Sequence, residues 1–159
     1  MDIFDEEVLE LWKSFYENDF QYIMVGGFAT NLNGFSRTTA DLDVWFKDTP
    51  QNRIGLRKSL AQIGLGDLPQ VERMDFVPGW SSIRLNSGME LDLMTYIKGF
   101  EQDTFDSCFA VGSTALIFEI PIKFLHINQL IESKKACDRA KDKIDVLELE
   151  RIKAEREAL

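Results

Sequence analysis

Histidine and cysteine are nearly absent from the sequence. Its 159 residues include one histidine, His126, and two cysteines, Cys108 and Cys137, which lack the spacing of a metal site. Zinc sites that use histidine and Ser-His-Asp triads need residues that this chain does not have. Two cysteines cannot form a disulfide framework, so both, like His126, are expected to have structural roles in a reducing cytoplasm. An enzyme of this composition has to rely on carboxylates and lysines, with or without a metal ion.

Basic residues are also scarce. Lysine and arginine number 18 against 27 aspartates and glutamates, which gives a formal net charge of −9. A surface this acidic repels phosphate backbones over a long range, so general nucleic-acid binding is not expected. A small anionic ligand, held by a few local cations or through a metal ion, is compatible with the charge.

Long apolar runs are missing as well. Stretches such as 115–118 (Ala-Leu-Ile-Phe) are far too short to span a bilayer, so no membrane association is expected. The first seven residues are acidic rather than basic, and a secretory signal is therefore not predicted. Hydrophobic residues still make up 45% of the chain, which is enough to form a buried core.

The hydrophobic patterns predict an α+β fold, in which helices pack on a mixed β-sheet. Short apolar or alternating runs bounded by turn residues predict strands at 22–25, 41–46, 82–85, 89–94 and 115–120. Helical spacing predicts helices at 28–33 and 51–63. We expect a single domain over residues 1–159, with an N-terminal helix (1–19), a sheet-containing core (20–127) and a C-terminal helical tail (128–159).

Two details of this prediction concern particular side chains. The tail is expected to begin at Asn128 as its N-cap, with Ile144, Leu147 and Leu149 on its inner side. Trp80 follows a Pro-Gly pair in a predicted loop, where it would cover a nucleotide or a partner surface.

Two aspartates stand two residues apart on the predicted strand 41–46. Side chains two apart in a strand share a face, so Asp41 and Asp43 project together while Leu42 and Val44 point into the core. Two carboxylates this close repel each other and gain from a shared divalent cation, for which Mg²⁺ is the natural candidate. On its own, an Asp-x-Asp strand is most often only a solvated face.

Gly26 and Gly27 lie between an apolar strand and a predicted helix. Backbone N–H groups are available there, and the absence of side chains lets a triphosphate approach closely. A Gly-Gly pair alone is most often a simple turn. The order of strand, Gly-Gly, helix, loop and Asp-x-Asp strand is much more specific than either pattern alone.

A third carboxylate is available on the second strand of the predicted hairpin. Glu90 and Asp92 share one face of that strand. Phosphoryl transfer with two metal ions needs carboxylates that bridge the metals and one that activates the incoming hydroxyl. Asp92, between Leu91 and Leu93, is the better candidate, whereas Glu90 is expected to keep an exposed face soluble.

Taken together, Val25-Gly26-Gly27 and the stretch 34–43 (GFSRTTADLD) resemble the polymerase-beta-like nucleotidyltransferase superfamily. The likeness is greatest to its small bacterial members, including the toxin-type enzymes of abortive-infection systems. It implies the nucleotidyltransferase fold and the transfer of a nucleoside monophosphate from an NTP, such as ATP, to an acceptor hydroxyl. Pyrophosphate would be the second product.

The resemblance also implies a role for each matched residue. Asp41 and Asp43 would be catalytic carboxylates and Mg²⁺ ligands, and Asp92 would be the third ligand and the base. Gly26 and Gly27 would hold the phosphates of the NTP.

Three cations are candidates for the same phosphates. Arg37, in the loop before the Asp-x-Asp strand, would bind a phosphate, pair with Asp41 when metal is absent, or only anchor the loop. Residues 130–134 (LIESK) and 139–145 (RAKDKID) are similar to the family's helical L-I-x-x-K and R-x-K-D-x-x-D stretches. This likeness favours Lys134 as a nucleotide-binding residue over the alternative that Lys134 and Lys141 form i,i+4 ion pairs on a solvated face.

Other functions are compatible with the same fold. One is a non-catalytic nucleotide-binding or toxin–antitoxin-type interaction module, and another is an antibiotic-modifying enzyme whose acidic surface attracts a cationic substrate. The chain leaves little room for the helical bundle with which larger relatives bind the acceptor. A protein partner or a homo-oligomer is therefore a candidate for completing the acceptor site.

Overall fold

The computed structural model describes residues 5–76 and 80–159, without the side chain of Trp80. The helices are α1 (Glu6–Glu17), α2 (Gly26–Leu32), α3 (Pro50–Gln62), α4 (Phe105–Val111), α5 (Ile127–Cys137) and α6 (Ala140–Glu157). The strands are β1 (Tyr22–Val25), β2 (Asp41–Phe46), β3 (Trp80–Arg84), β4 (Glu90–Met94), β5 (Ser113–Ile117) and β6 (Ile120–Phe124). Short 3₁₀ turns lie at Pro69–Glu72 and Gln102–Thr104.

The strands form one mixed sheet in the order β3-β4-β2-β1-β6-β5. The pairs β2–β4 and β1–β6 are parallel, and the other neighbours are antiparallel. Helices pack on this sheet, as the α+β prediction required. The sheet places β2 directly beside β4, which brings together the two strands that carry the predicted carboxylates.

The core lies on the central strands. All four residues of β1 are buried, and Trp12 of α1 and Trp45 of β2 are fully enclosed. The ring of Trp12 meets the edge of Phe28 on α2, and Trp45 Nε1 donates a hydrogen bond to the carbonyl of Thr95. These contacts hold α2 against α1, and β2 against the residue that follows β4.

The N-terminal half follows the predicted order with shifted boundaries. Helix α1 begins after Asp5, whose side chain caps it, and ends one residue before Asn18. Residues 1–4 of the predicted helix 1–19 lie outside the described part of the chain. Helix α2 begins at Gly26, directly after the last residue of β1, and not at Phe28 as predicted. The predicted hairpin around Asn86-Ser87-Gly88 is confirmed as the antiparallel pair β3–β4.

The predicted strand 115–120 is wrong, because this stretch contains the turn of a second hairpin. Strands β5 and β6 pair through Phe118 and Glu119, both of which have positive φ, 48° and 67°. Tight hairpin turns of this kind usually use glycine or asparagine. A turn made of Phe and Glu lacks that signal, and helix α4 before it was not predicted either.

The helical tail consists of two helices separated at Asp138, which has a left-handed conformation. Its N-cap is His126, whose Nδ1 accepts a hydrogen bond from the backbone N–H of Asn128 at 3.1 Å. The prediction that Asn128 is the cap is therefore wrong by two residues. The structural role expected for His126 is confirmed.

The predicted inner face of α6 is also wrong for two residues. Ile144 and Leu147 are 58% and 69% exposed, whereas Leu149 is buried as expected. The buried stripe runs along a different line of the helix, through Asp142, Asp145, Leu149 and Ile152. Two carboxylates, rather than apolar side chains, thus face inward on the first turns of α6.

Trp80 is the first residue of β3, paired with Met94, and does not lie in a loop. Its side chain lies outside the described part of the structure. The prediction that this side chain covers a nucleotide or a partner surface therefore concerns atoms outside the described residues. None of the helices in the described ranges combines the length and the apolar character needed to cross a bilayer.

Candidate active site

The predicted carboxylates meet on two adjacent parallel strands. Asp43 of β2 lies opposite Asp92 of β4, and Asp41 lies opposite Glu90. Because side chains on neighbouring parallel strands at matched positions point to the same face, Asp41, Asp43 and Asp92 all face one cavity. The cavity has a volume of about 660 Å³, which is large enough for a small-molecule ligand.

Burial and mutual repulsion change the acidity of these carboxyls. Burial and the negative charge of Asp92, with which it shares a hydrogen bond, raise the pKa of Asp43 to about 7, against the lowering effect of Lys134. Burial, followed by the charges of Asp92 and Glu90, also raises the pKa of Asp41. The three aspartates therefore form a cluster in which negative charge is unfavourable unless a cation compensates it.

Ser82 supports the third carboxylate. It lies opposite Asp92 across the β3–β4 pair, and its hydroxyl donates a short hydrogen bond to Asp92 Oδ1. Ser82 was not among the predicted site residues. The predicted turn at 86–88 fixes the register of the hairpin, and this register places Ser82 opposite Asp92. The sequence therefore did contain a signal for Ser82.

The glycine pair lies against the same carboxylates. Gly26 has a φ of +64°, and a Cβ atom on it would lie 2.0 Å from Asp43 Oδ2. A Cβ atom on Gly27 would lie 2.5 Å from Thr39 Oγ1. Both positions therefore need glycine. At Gly26 the backbone conformation disfavours a side chain, and a Cβ atom would also clash with Asp43. At Gly27 a Cβ atom would clash with Thr39, in the loop before β2.

Arg37 and Lys134 both line the cavity, and both bind Asp145 of α6. Arg37 Nη2 lies 2.9 Å from Asp145 Oδ2, and Lys134 Nζ lies 2.7 Å from the same oxygen atom. Arg37 makes a second contact with this carboxylate, since its Nε lies 2.9 Å from Asp145 Oδ1. The alternative in which Arg37 pairs with Asp41 is therefore wrong. The i,i+4 alternative for Lys134 is also wrong, since its ammonium is buried against α6 rather than on a solvated face.

A second carboxylate of α6 extends this network. Asp142 accepts a hydrogen bond from Arg139 Nε at 2.6 Å and lies 3.8 Å from Lys134 Nζ. Although its burial acts in the opposite direction, the bonds from Arg139 lower the pKa of the Asp142 carboxyl. Within the described residues, Lys141 lines the cavity without an ion-pair partner, so its charge is available to a ligand.

The cavity brings together every residue predicted for the site and several that were not. Asp142 and Asp145 stand in the stretch compared with the family, but neither was among the predicted site residues. Their signal is their spacing: three residues apart, they continue the buried line of Leu149 and Ile152 along the helix. Thr39 and Arg139 are further cavity residues that were not among the predicted site residues.

The donor set fits a divalent cation in its chemistry. Carboxylate oxygens are the ligands that Mg²⁺ prefers, and the missing Cβ of Gly26 lets Asp43 Oδ2 lie directly against the glycine backbone. In the ranges 5–76 and 80–159, no group of three or more His, Cys, Asp or Glu side chains is already arranged to hold a metal ion. The residues that would hold one are Asp41, Asp43 and Asp92.

Two solved structures share this arrangement of elements. The crystal structure of the lincosamide antibiotic adenylyltransferase LnuA, with lincomycin bound, matches at a TM-score of 0.64 and 16% identity, over 96% of this chain and 99% of that one. This chain has the nucleotidyltransferase fold. An antigenic nucleotidyltransferase-like protein from Paracoccidioides brasiliensis matches at a TM-score of 0.55 and 16% identity, over 90% of this chain and 72% of that one.

The nucleotidyltransferase fold is thus established by structure rather than by sequence similarity. No protein-family model matches the chain, and no curated protein matches it. The fold expected from the glycine pair and the Asp-x-Asp strand is confirmed. The finer likeness to toxin-type members stays a prediction.

Proposed function

We propose that this protein transfers a nucleoside monophosphate from an NTP, with ATP as the first candidate, to the hydroxyl group of an acceptor. One observation carries the proposal: Asp43 and Asp92 lie side by side on parallel strands, and the Asp43 carboxylate packs directly against the glycine turn at Gly26. The nucleotidyltransferase fold supports the same reaction class.

The triphosphate would occupy the cavity between the glycine turn and the cations. Gly26 and Gly27 line this cavity, and Arg37, Lys134 and Lys141 supply positive charge along its wall. These few local cations give a phosphate site in a protein whose net charge is −9.

In the reaction, the acceptor oxygen forms a bond to the α-phosphorus, and the bond from that phosphorus to the bridging oxygen of the β-phosphate breaks. Asp92 takes the proton of the acceptor hydroxyl, while Ser82 keeps its carboxylate oriented. Asp41 and Asp43 would hold Mg²⁺ together with Asp92. When bound, Mg²⁺ would supply charge neutralisation for the phosphates and for the departing pyrophosphate.

We further propose that the acceptor is a small molecule. The cavity volume suits a small ligand. The present chain matches 99% of the length of the lincomycin-bound adenylyltransferase, so the two proteins are similar in size. A chain of this size with this fold can therefore bind a small acceptor without an added helical bundle. The acidic surface also attracts a cationic acceptor.

The first test is thermal unfolding with each of the four NTPs, in Mg²⁺ and in EDTA. A nucleotide that binds the native state raises its unfolding temperature by mass action. We expect a Mg²⁺-dependent rise in the wild type that is lost in Asp41→Asn/Asp43→Asn. The control is Glu90→Gln, which removes a charge next to the site from a residue paired with Arg84.

Product formation decides between catalysis and binding. Pyrophosphate release that depends on an added small-molecule hydroxyl compound supports the transferase. Nucleotide binding without release, under any acceptor, supports a non-catalytic or toxin–antitoxin-type module instead. A wild type that responds to no nucleotide contradicts the proposal.

A further inference from the structure

Asp145 connects two separate elements of the cavity wall through a single carboxylate. It is buried on α6, with a relative exposure of 1%. Its Oδ2 accepts hydrogen bonds from Arg37, in the loop between α2 and β2, and from Lys134, on α5. Asp145 is not itself among the residues that line the cavity. Among the described residues, it is connected to the site through these two cations.

The two cations depend on this carboxylate for their positions. Arg37 Nη2 and Lys134 Nζ lie 2.9 and 2.7 Å from one oxygen atom, so their like charges are held close together. Without a shared anion they would repel each other, and a buried ammonium without a partner is strongly unfavourable. Asp142 does not replace Asp145, because it is 3.8 Å from Lys134 and bonds mainly to Arg139.

The cation pair lines the same cavity as the glycine turn and the aspartates. Arg37 Nη2 is 3.6 Å from the position that a Cβ atom of Gly27 would occupy. Lys134 is close enough to Asp43 for its positive charge to lower the pKa of that carboxyl. A phosphate group placed against the glycine turn would thus meet a guanidinium and an ammonium that are already oriented, which lowers the cost of ordering them on binding.

We propose that Asp145 is a positioning residue for the nucleotide, which holds Arg37 and Lys134 in the geometry that binds the triphosphate. The proposal rests on the proposed function. It assigns the effect of Asp145 to these two side chains and not to contact with substrate. Its loss should therefore weaken nucleotide binding more than it slows the chemical step.

The test compares Asp145→Asn with Glu148→Gln, a control that removes an acidic side chain from an exposed ion pair on the same helix. Steady-state kinetics with ATP and Mg²⁺ should show a KM about 10- to 100-fold higher in Asp145→Asn, with a smaller change in kcat. Asp145→Glu should recover part of the affinity, because it restores the charge. Glu148→Gln should behave as the wild type.

A double-mutant cycle then shows whether Asp145 acts through the cations. In an Arg37→Gln/Lys134→Gln background, Asp145→Asn should raise KM by less than twofold, since its partners are already gone. An equal KM effect in both backgrounds would overturn the proposal, as would a KM for ATP in Asp145→Asn equal to that of the wild type.

Hydrogen exchange without nucleotide separates this proposal from the proposed function. The Arg37 amide donates to Asn31 Oδ1 at 3.0 Å, and residues 35–40 should exchange faster in Asp145→Asn than in Glu148→Gln. Unchanged exchange of this loop in Asp145→Asn contradicts the positioning role, even if the wild type transfers nucleotide. Faster exchange in a protein whose wild type binds no NTP contradicts the proposed function and leaves Asp145 with a structural role only.

Discussion

Gly26 has the most restrictive environment of any single residue at the site. Its φ of +64° and the 2.0 Å approach to Asp43 Oδ2 combine two separate penalties for a side chain. We expect Gly26→Ala to destabilise the fold by about 1–2 kcal/mol from the backbone alone, and to displace the Asp43 carboxylate as well. Nucleotide-induced stabilisation should then be lost. Urea unfolding and thermal unfolding with ATP and Mg²⁺ measure the two effects.

Gly66→Ala is the matched control for this prediction. Gly66 also has a positive φ, +84°, but nothing lies within 4 Å of the Cβ it would gain. It should show a similar backbone penalty and keep the response to nucleotide. Loss of the response in both variants would mean that the effect of Gly26→Ala comes from general destabilisation and not from Asp43.

Ser82 offers a second prediction at the residue scale. Its hydroxyl orients Asp92, the proposed base, and Ser82→Ala removes about 1 kcal/mol of hydrogen bonding without leaving a cavity of significant size. We expect kcat to fall several-fold and the unfolding temperature to fall by about 2–4 °C. Ser81→Ala, on the same strand with its side chain on the opposite face, is the control and should keep the wild-type kcat. Equal rates in the two variants would contradict the role of Ser82.

Single site residues were predictable where the alternation of side chains along one strand determines the face on which each of them lies. Asp41, Asp43 and Asp92 follow from a period of two, which a short sequence fixes without knowledge of the rest of the fold. Asp145 was not predictable in the same way, since its partners stand 108 and 11 residues away along the chain. Only the packing of α6 against α5 and the loop before β2 brings them together.

At the scale of elements, α6 shows how an apolar pattern can mislead. Ile144 and Leu147 suggested one face, whereas the helix buries the line that contains Leu149. We predict that Leu149→Ala lowers the free energy of unfolding by about 2–5 kcal/mol, because it leaves a cavity in the core. Leu147→Ala, at an exposed position of the same helix, should change it by less than about 0.5 kcal/mol. Urea unfolding of both variants measures this directly, and comparable losses would mean that the orientation of α6 is wrong.

Elements with explicit turn residues were predictable, and those without were not. The hairpin β3–β4 carries Asn86-Ser87-Gly88 and was found, whereas the hairpin β5–β6 turns at Phe118-Glu119 and was read as one strand. The parallel pairing of β2 with β4 had no local signal at all, because the segments between these strands do not reveal which strands become neighbours. That pairing nevertheless brings Asp43 and Asp92 together.

At the scale of the whole molecule, the net charge of −9 and the aspartate cluster make separate predictions for added cations. All salts screen the general repulsion, but only a cation bound by Asp41, Asp43 and Asp92 stabilises through the site. At ten times its dissociation constant, a bound Mg²⁺ ion should add about 1.4 kcal/mol to the free energy of unfolding. For a domain of this size, the unfolding temperature should then rise by about 2–4 °C for each kcal/mol.

Ionic strength has to be matched to separate the two contributions. The unfolding temperature should rise with MgCl₂ beyond its rise with NaCl at the same ionic strength, and EDTA should remove the difference. Asp43→Asn should respond equally to the two salts, because it lacks the central carboxylate but keeps almost all of the general negative charge. If the wild type also responds equally at every concentration, the free protein does not bind Mg²⁺ at this site, and the cation would have to arrive together with the nucleotide phosphates.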